Sequence, residues 1–101
     1  MNSIDPGIMS MVEKALQVIP AENHKALIIH SQAANFSVGA NIGLALFAAN
    51  IAGWPEITKS VKAGQDAYKA LKYAPFPVVG APSGMALAGG LEILLHCDAV
   101  Q

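Results

Sequence analysis

The stretch Gly84-Met85-Ala86-Leu87-Ala88-Gly89-Gly90-Leu91-Glu92 offers the clearest opportunity for chemistry in this sequence. It reads as a short strand, from Gly84 to Leu87, running into paired glycines and then a helix with an acid in its first turn. Glycine lets another backbone approach closely, and the first turn of a helix leaves peptide N–H groups without intrahelical partners. Those donors favour negative charge. A carbonyl set against them is polarised, and an oxyanion formed from it is stabilised, each donor contributing ~3 kcal/mol. Glu92 falls about one turn beyond Gly89, within reach of the same substrate. The same glycines also suit tight strand–helix packing, and an acid at a helix start suits the helix dipole, so the pattern alone leaves a structural role open.

A second segment, Asn35-Phe36-Ser37-Val38-Gly39-Ala40-Asn41-Ile42, also ends a loop and opens a helix. Its peptide N–H groups offer a further donor, although small polar residues before a helix are ordinary capping chemistry.

The elements that must position these segments can be read from spacing. Asp5-Pro6 supplies an N-cap acceptor followed by proline at the first helical position. Ile8, Met9, Val12, Ala15, Leu16 and Ile19 form one stripe opposite Ser10, Glu13, Lys14 and Gln17, and Pro20 is expected to close that helix. Lys25 to His30 reads as a strand covered on both faces, as in a parallel sheet. After the Ser31–Gly39 loop, a helix is expected from about Ile42 to Ala52, broken by Gly53-Trp54-Pro55. Ile57, Val61, Gly64, Tyr68 and Leu71 then mark an amphipathic helix with Lys59, Lys62, Lys69 and Lys72 turned outward. Pro75-Phe76-Pro77 ends it, Val78-Val79 begins a strand, and Asp98-Ala99-Val100 begins another. Strands alternate with helices, which predicts an α/β fold.

Composition narrows the partners. The 101 residues include 53% hydrophobic and 13% charged side chains, with a net charge of −1. Six basic residues, all lysine, stand against seven acids, and a chain with no arginine and no basic cluster is a poor binder of nucleic acid. The single cysteine, Cys97, excludes an internal disulfide. Ala26–Pro55 and Tyr73–Leu91 carry no charge over long runs until their ends, yet polar residues, prolines and glycines interrupt both, so no membrane span is expected. With so few charges, a chain this small has difficulty covering its own core. The cytoplasm is the expected compartment.

Taken together, the two segments resemble the crotonase family, the enoyl-CoA hydratase and isomerase group. Its members carry F-S-x-G-A-D before one helix and P-V-x-A-x-x-G-x-A-x-G-G-G-x-E before the next. Here these read Phe36-Ser37-Val38-Gly39-Ala40-Asn41 and Pro77-Val78-Val79 through Gly84 to Glu92, followed by a family-like Cys97-Asp98. Met1-Asn2-Ser3-Ile4 resembles the turn before the family's first long helix. The resemblance spans residues 1–101 and is nearest to the hydratase portion of long bacterial 3-hydroxyacyl-CoA dehydrogenases of fatty-acid β-oxidation. No G-x-G-x-x-G turn is present, so dehydrogenase chemistry belongs elsewhere in such a protein.

The resemblance implies a partial crotonase-like spiral of ββα units, an interior piece of a larger domain incomplete at both ends. It implies a coenzyme A thioester as substrate and no cofactor on this chain. The N–H groups of Ala40 and Gly89 would hold the thioester oxygen, Glu92 would activate or position water, and Val38, Asn41 and Ile42 would line the CoA and thioester path. Asn41 stands where the family has aspartate, and Ala88 where it has the first glycine of its triple. A second family glutamate and the helices used for trimerisation correspond to sequence after Gln101, so these residues alone are expected to hydrate weakly or not at all, and a homo-oligomer stays open. A non-catalytic acyl-CoA-binding or assembly segment is the alternative.

Other chemistries fit less well. His24, His30, His96, Cys97 and Asp98 include no i, i+4 helical pair beside a third ligand, so no metal site is expected. Ser83, His96 and Asp98 are the residue types of a serine hydrolase, but Ser83 lacks the G-x-S-x-G elbow. Clp-type peptidases, which use a related spiral, are the nearest enzyme rival. Trp54 and Tyr68 read as core or edge aromatics.

Overall fold

The computed structural model describes residues 2–101, so Met1 of the expected Met1–Ile4 turn lies outside the described residues. Helix α1 spans Pro6–Ala21 and strand β1 Leu27–His30; α2 spans Ile42–Asn50 and α3 Trp54–Lys72; β2 spans Val78–Ala81, α4 Gly89–Leu95 and β3 Ala99–Val100. The strands form a parallel sheet in the order β1-β2-β3, with Leu27 opposite Val78 and Val79 opposite Ala99. This is the expected α/β alternation, and the α2–α3 pair supplies the crossover that parallel neighbours require.

Local chemistry starts and stops these elements where sequence indicated, with small departures. Asp5 caps α1 by accepting from the Ile8 N–H at 2.9 Å, and Pro6 opens the helix. Pro20 does not close α1. Ala21 is still helical, because a proline in the last turn removes one hydrogen bond without blocking the next residue; the Glu22 N–H then reaches the Val18 carbonyl at 2.9 Å. Trp54 and Pro55 break α2 from α3 but themselves form the first turn of α3.

Two strand expectations need larger correction. Gly84–Leu87 is not a strand but a single bridge, Ser37 to Ala86, flanked by Ser37 N–H to Met85 O at 3.1 Å and Leu87 N–H to Ser37 O at 2.9 Å. Left-handed Gly84 (φ +69) and Ala88 (φ +46) turn the chain on both sides before a ladder can grow. β1 is covered on one face only. Leu27 and Ile29 face the same side as Val78 and Gly80 and are half-buried, whereas Ile28 is 64% exposed and His30 is exposed. An apolar run fits a strand covered on both sides, but in this chain the core gathers on one side of the sheet.

That core joins Ile4, Phe36, Leu71, Val78, Ile93 and Leu94, with the α1 stripe of Ile8, Met9, Val12 and Leu16 packed against it. Gly80 lets α4 close down, since a Cβ there would sit 2.5 Å from Leu94 Cδ2. Asp98 ties β3 to β2 twice: its carboxylate accepts from the Val78 N–H, and its own N–H donates to the Val78 carbonyl, each at 2.8 Å. Helix α2 buries no residue and leaves Ile42, Leu44, Leu46 and Phe47 in solvent, so the scarcity of charge does show as uncovered apolar surface. Among the described residues no helix is long and apolar enough to cross a membrane.

Candidate active site

The two segments singled out by sequence are brought into contact. Phe36 and Ser37 are buried, and the short N-terminal stretch stitches the loop down. Val38 N–H donates to Asn2 O at 2.9 Å, Ile4 N–H donates to Gly39 O at 2.8 Å, and the Asn2 amide donates to the Phe36 carbonyl. The Ser37 hydroxyl accepts from the Gly39 N–H at 3.2 Å, setting a tight turn. Gly39 adopts φ +89, and a Cβ on it would stand 2.9 Å from Ala88 Cβ and 3.1 Å from the Gly89 nitrogen. Only glycine fits both that dihedral and that space.

From the other side, Ala86 bridges to Ser37 while Gly84 packs under Ala34, where a Cβ would collide with the Ala34 carbonyl oxygen. The Asn35 side chain accepts from the Met85 N–H at 3.0 Å, a second tie between the segments. Gly90 lies on Ser37, a Cβ there falling 2.7 Å from both the Ser37 Cβ and its carbonyl oxygen. The glycine pair therefore performs the packing role that its pattern allowed, and in doing so carries Gly89 to the edge of Gly39. The Gly39 Cα is 3.7 Å from where a Cβ on Gly89 would lie.

Peptide donors are left over on both sides of this junction. Among the described residues the N–H groups of Ala40, Asn41 and Ile42 on one segment, and of Ala88, Gly89 and Leu91 on the other, donate to no acceptor, while those of Val38, Gly39, Gly90 and Glu92 are used. Of these free donors, Gly89 lies at the edge of Gly39, the residue that precedes Ala40. Ala40 is exposed and Gly89 half-buried, so the pair opens to solvent. Glu92 is exposed in the first turn of α4, its N–H bonded to the Ala88 carbonyl at 3.0 Å, and among the described residues its carboxylate has no ion-pair partner.

The remaining expected residues fall beside this junction with distinct tasks. Asn41 is the N-cap of α2, its side-chain oxygen accepting from the Gly43 N–H at 3.0 Å. Val38 is half-buried, and Ile42 is 78% exposed on the first turn of α2. Ala88, at φ +46 and ψ −121, holds a conformation that favours glycine. Two surface concavities lie apart from the donors. One, of about 630 Å³, runs along α3 between Pro55 and Asp66; the other, of about 460 Å³, is lined by Asn2, Ala33, Ala34 and Asn35.

Sequence reasoning missed one polar group at the junction. The Tyr68 hydroxyl donates to the Gly89 carbonyl at 3.2 Å, and its ring lies 5.6 Å from the His96 ring. Burial, and then the Glu92 charge, push the Tyr68 pKa up, so the phenol keeps its proton. The signal was available: a hydroxyl on the apolar stripe of a helix needs a partner once buried. Cys97 is pushed up likewise, by burial and then by Asp98.

The fold is that of solved enoyl-CoA hydratases. One from Shewanella pealeana superposes over 97% of this chain and 37% of its own with a TM-score of 0.85, at 19% sequence identity. The enoyl-CoA hydratase/isomerase family model matches residues 1–101, and the chain belongs to that family. Among curated relatives, a Bacillus subtilis protein named "Probable 3-hydroxyacyl-CoA dehydrogenase" is 35% identical over 100 residues. A fatty acid oxidation complex subunit alpha of Vibrio vulnificus is 41% identical over 75 residues. These matches cover 99% and 73% of this chain but only 12% and 10% of the relatives' lengths.

Proposed function

We propose that this chain carries the thioester-binding part of an enoyl-CoA hydratase site. The observation behind the reading is that Ala40 and Gly89, on segments that touch through Gly39, both keep their amides unpartnered. A thioester oxygen accepting from both would draw electron density from the conjugated double bond. Water then attacks the β-carbon, the negative charge gathers on that oxygen as an enolate, and a proton returns to the α-carbon. Each amide aimed at the growing charge contributes ~3 kcal/mol. Glu92, exposed and free of cationic partners among the described residues, positions the water and takes up its proton. Val38, Asn41 and Ile42 border the acyl-CoA path, with the Asn41 side chain committed to capping α2.

The reading requires no cofactor on this chain: the amides hold the thioester oxygen, and proton transfer falls to Glu92 together with the second family glutamate that corresponds to sequence after Gln101. Its product, a 3-hydroxyacyl-CoA, is the compound named in the dehydrogenase relative, and the other relative's name supports a place in fatty-acid oxidation.

The test is hydration of crotonyl-CoA followed at the enoyl absorbance, with calorimetry of butyryl-CoA alongside. Glu92→Gln is expected to slow turnover by ~100-fold or more while butyryl-CoA still binds. Turnover indifferent to Glu92 removes that residue from the mechanism. Binding without turnover in the unaltered chain favours a non-catalytic acyl-CoA-binding role.

A further inference from the structure

We propose that Tyr68 is a positioning residue for the Gly89 donor, an inference that rests on the oxyanion reading given above. Gly89 sits between Ala88 and Gly90, and two adjacent glycines make this the most freely rotating point of the backbone near the junction. The peptide joining Gly89 to Gly90 is nevertheless held at both ends. Its N–H, on Gly90, donates to the Leu87 carbonyl at 2.8 Å, and its carbonyl, on Gly89, accepts from the Tyr68 hydroxyl at 3.2 Å. Leu87 is itself fixed to Ser37 by a 2.9 Å bond. The preceding peptide, which carries the Gly89 N–H, has its carbonyl, on Ala88, held by the Glu92 N–H at 3.0 Å. With the planes on both sides of Gly89 set, its two torsions are bounded and its N–H is kept in place with no acceptor.

Side-chain packing agrees. A Cβ on Gly89 would lie 3.0 Å from the Tyr68 hydroxyl oxygen and 3.1 Å from Ile4 Cδ1, so the two side chains close on Gly89 together. The acceptor is a carbonyl, which requires the phenol to stay protonated, and its burial near Glu92 favours that form. The ring is steadied by His96, whose Nδ1 lies 2.7 Å from the Glu92 carbonyl oxygen, and so Tyr68 rests on the helix whose start it orients. Tyr68 acts through the backbone and does not touch the substrate.

The experiment uses the 101-residue chain and butyryl-CoA labelled with ¹³C at the thioester carbonyl. In the unaltered protein the bound carbonyl resonance is expected to move downfield, as polarisation by two donors requires. Tyr68→Phe is expected to lose about half of that displacement or more, while the butyryl-CoA Kd changes by less than about threefold. The control Tyr73→Phe, at a tyrosine 70% exposed, is expected to change neither. Full displacement in Tyr68→Phe overturns the positioning role and leaves the oxyanion reading standing. No displacement in the unaltered protein overturns both. Tyrosine labelled with ¹³C at the ring ζ position gives a second readout without substitution. The Tyr68 signal shifts on butyryl-CoA addition if its hydroxyl bond tightens, and a Tyr68 signal that stays put overturns the inference.

Discussion

Ile4 touches both halves of the donor junction: its N–H holds the Gly39 carbonyl at 2.8 Å, and its Cδ1 reaches 3.1 Å from the Cβ position of Gly89. Ile4 is also a buried member of the main core. Ile4→Ala is therefore expected to lower stability by about 3 kcal/mol, measured as a drop in the urea midpoint at unchanged m-value. A loss under about 1 kcal/mol would show that the N-terminal stretch is not seated as described.

Ala88 occupies a backbone region that favours glycine, at φ +46 and ψ −121. Relief of that strain, of about 1–3 kcal/mol, exceeds the extra chain entropy glycine loses on folding, about 0.5–1 kcal/mol. Ala88→Gly is expected to raise stability by about 1 kcal/mol in the same denaturation series.

Glycine-to-alanine changes should have opposite signs at two sites. Gly64 lies inside α3 with nothing within 4 Å of its Cβ position, so Gly64→Ala is expected to stabilise by about 1 kcal/mol. Gly90→Ala drives a methyl to 2.7 Å from Ser37 and is expected to destabilise by about 2 kcal/mol or more. Thermal melts of both variants beside the unaltered chain check the pair.

Alkaline pH is expected to weaken the fold through Cys97 and Tyr68. Both hold their protons more tightly in the folded chain than at their ordinary values of 9.0 and 10.0. Above those values the native state keeps protons that the unfolded state has lost, so unfolding free energy falls as pH rises. Their contribution is whole below about pH 9 and lost as pH climbs through the raised values. Urea midpoints from about pH 8 to 11 should decline less steeply above about pH 10 in Tyr68→Phe, and less steeply from about pH 9 in Cys97→Ala. Equal slopes in all three proteins would contradict this.

Sequence made most of the scaffold legible, because helical spacing is a strong signal. Asp5-Pro6 and the Ile8 to Ile19 stripe marked α1, and Tyr68 and Leu71 marked the buried end of α3. The meeting of the Phe36–Ala40 and Gly84–Glu92 segments followed from paired motifs, which spacing alone does not supply. Period-two patterns were less informative. They could not separate a strand from the single Ser37–Ala86 bridge, nor say that Ile28 would face solvent. The clip between Asp98 and Val78 and the hydroxyl bond from Tyr68 to Gly89 depend on tertiary approach over 20 and 21 residues. No local window contains them.

The methyl group of Ala88 has a second effect besides strain. It narrows the swing of the peptide that carries the Gly89 N–H, and less motion then remains to be frozen when an oxygen docks there. Glycine at this position would fold more comfortably yet give up more entropy on capture of a ligand. Fold strength and grip on the thioester thus pull against each other at a single methyl.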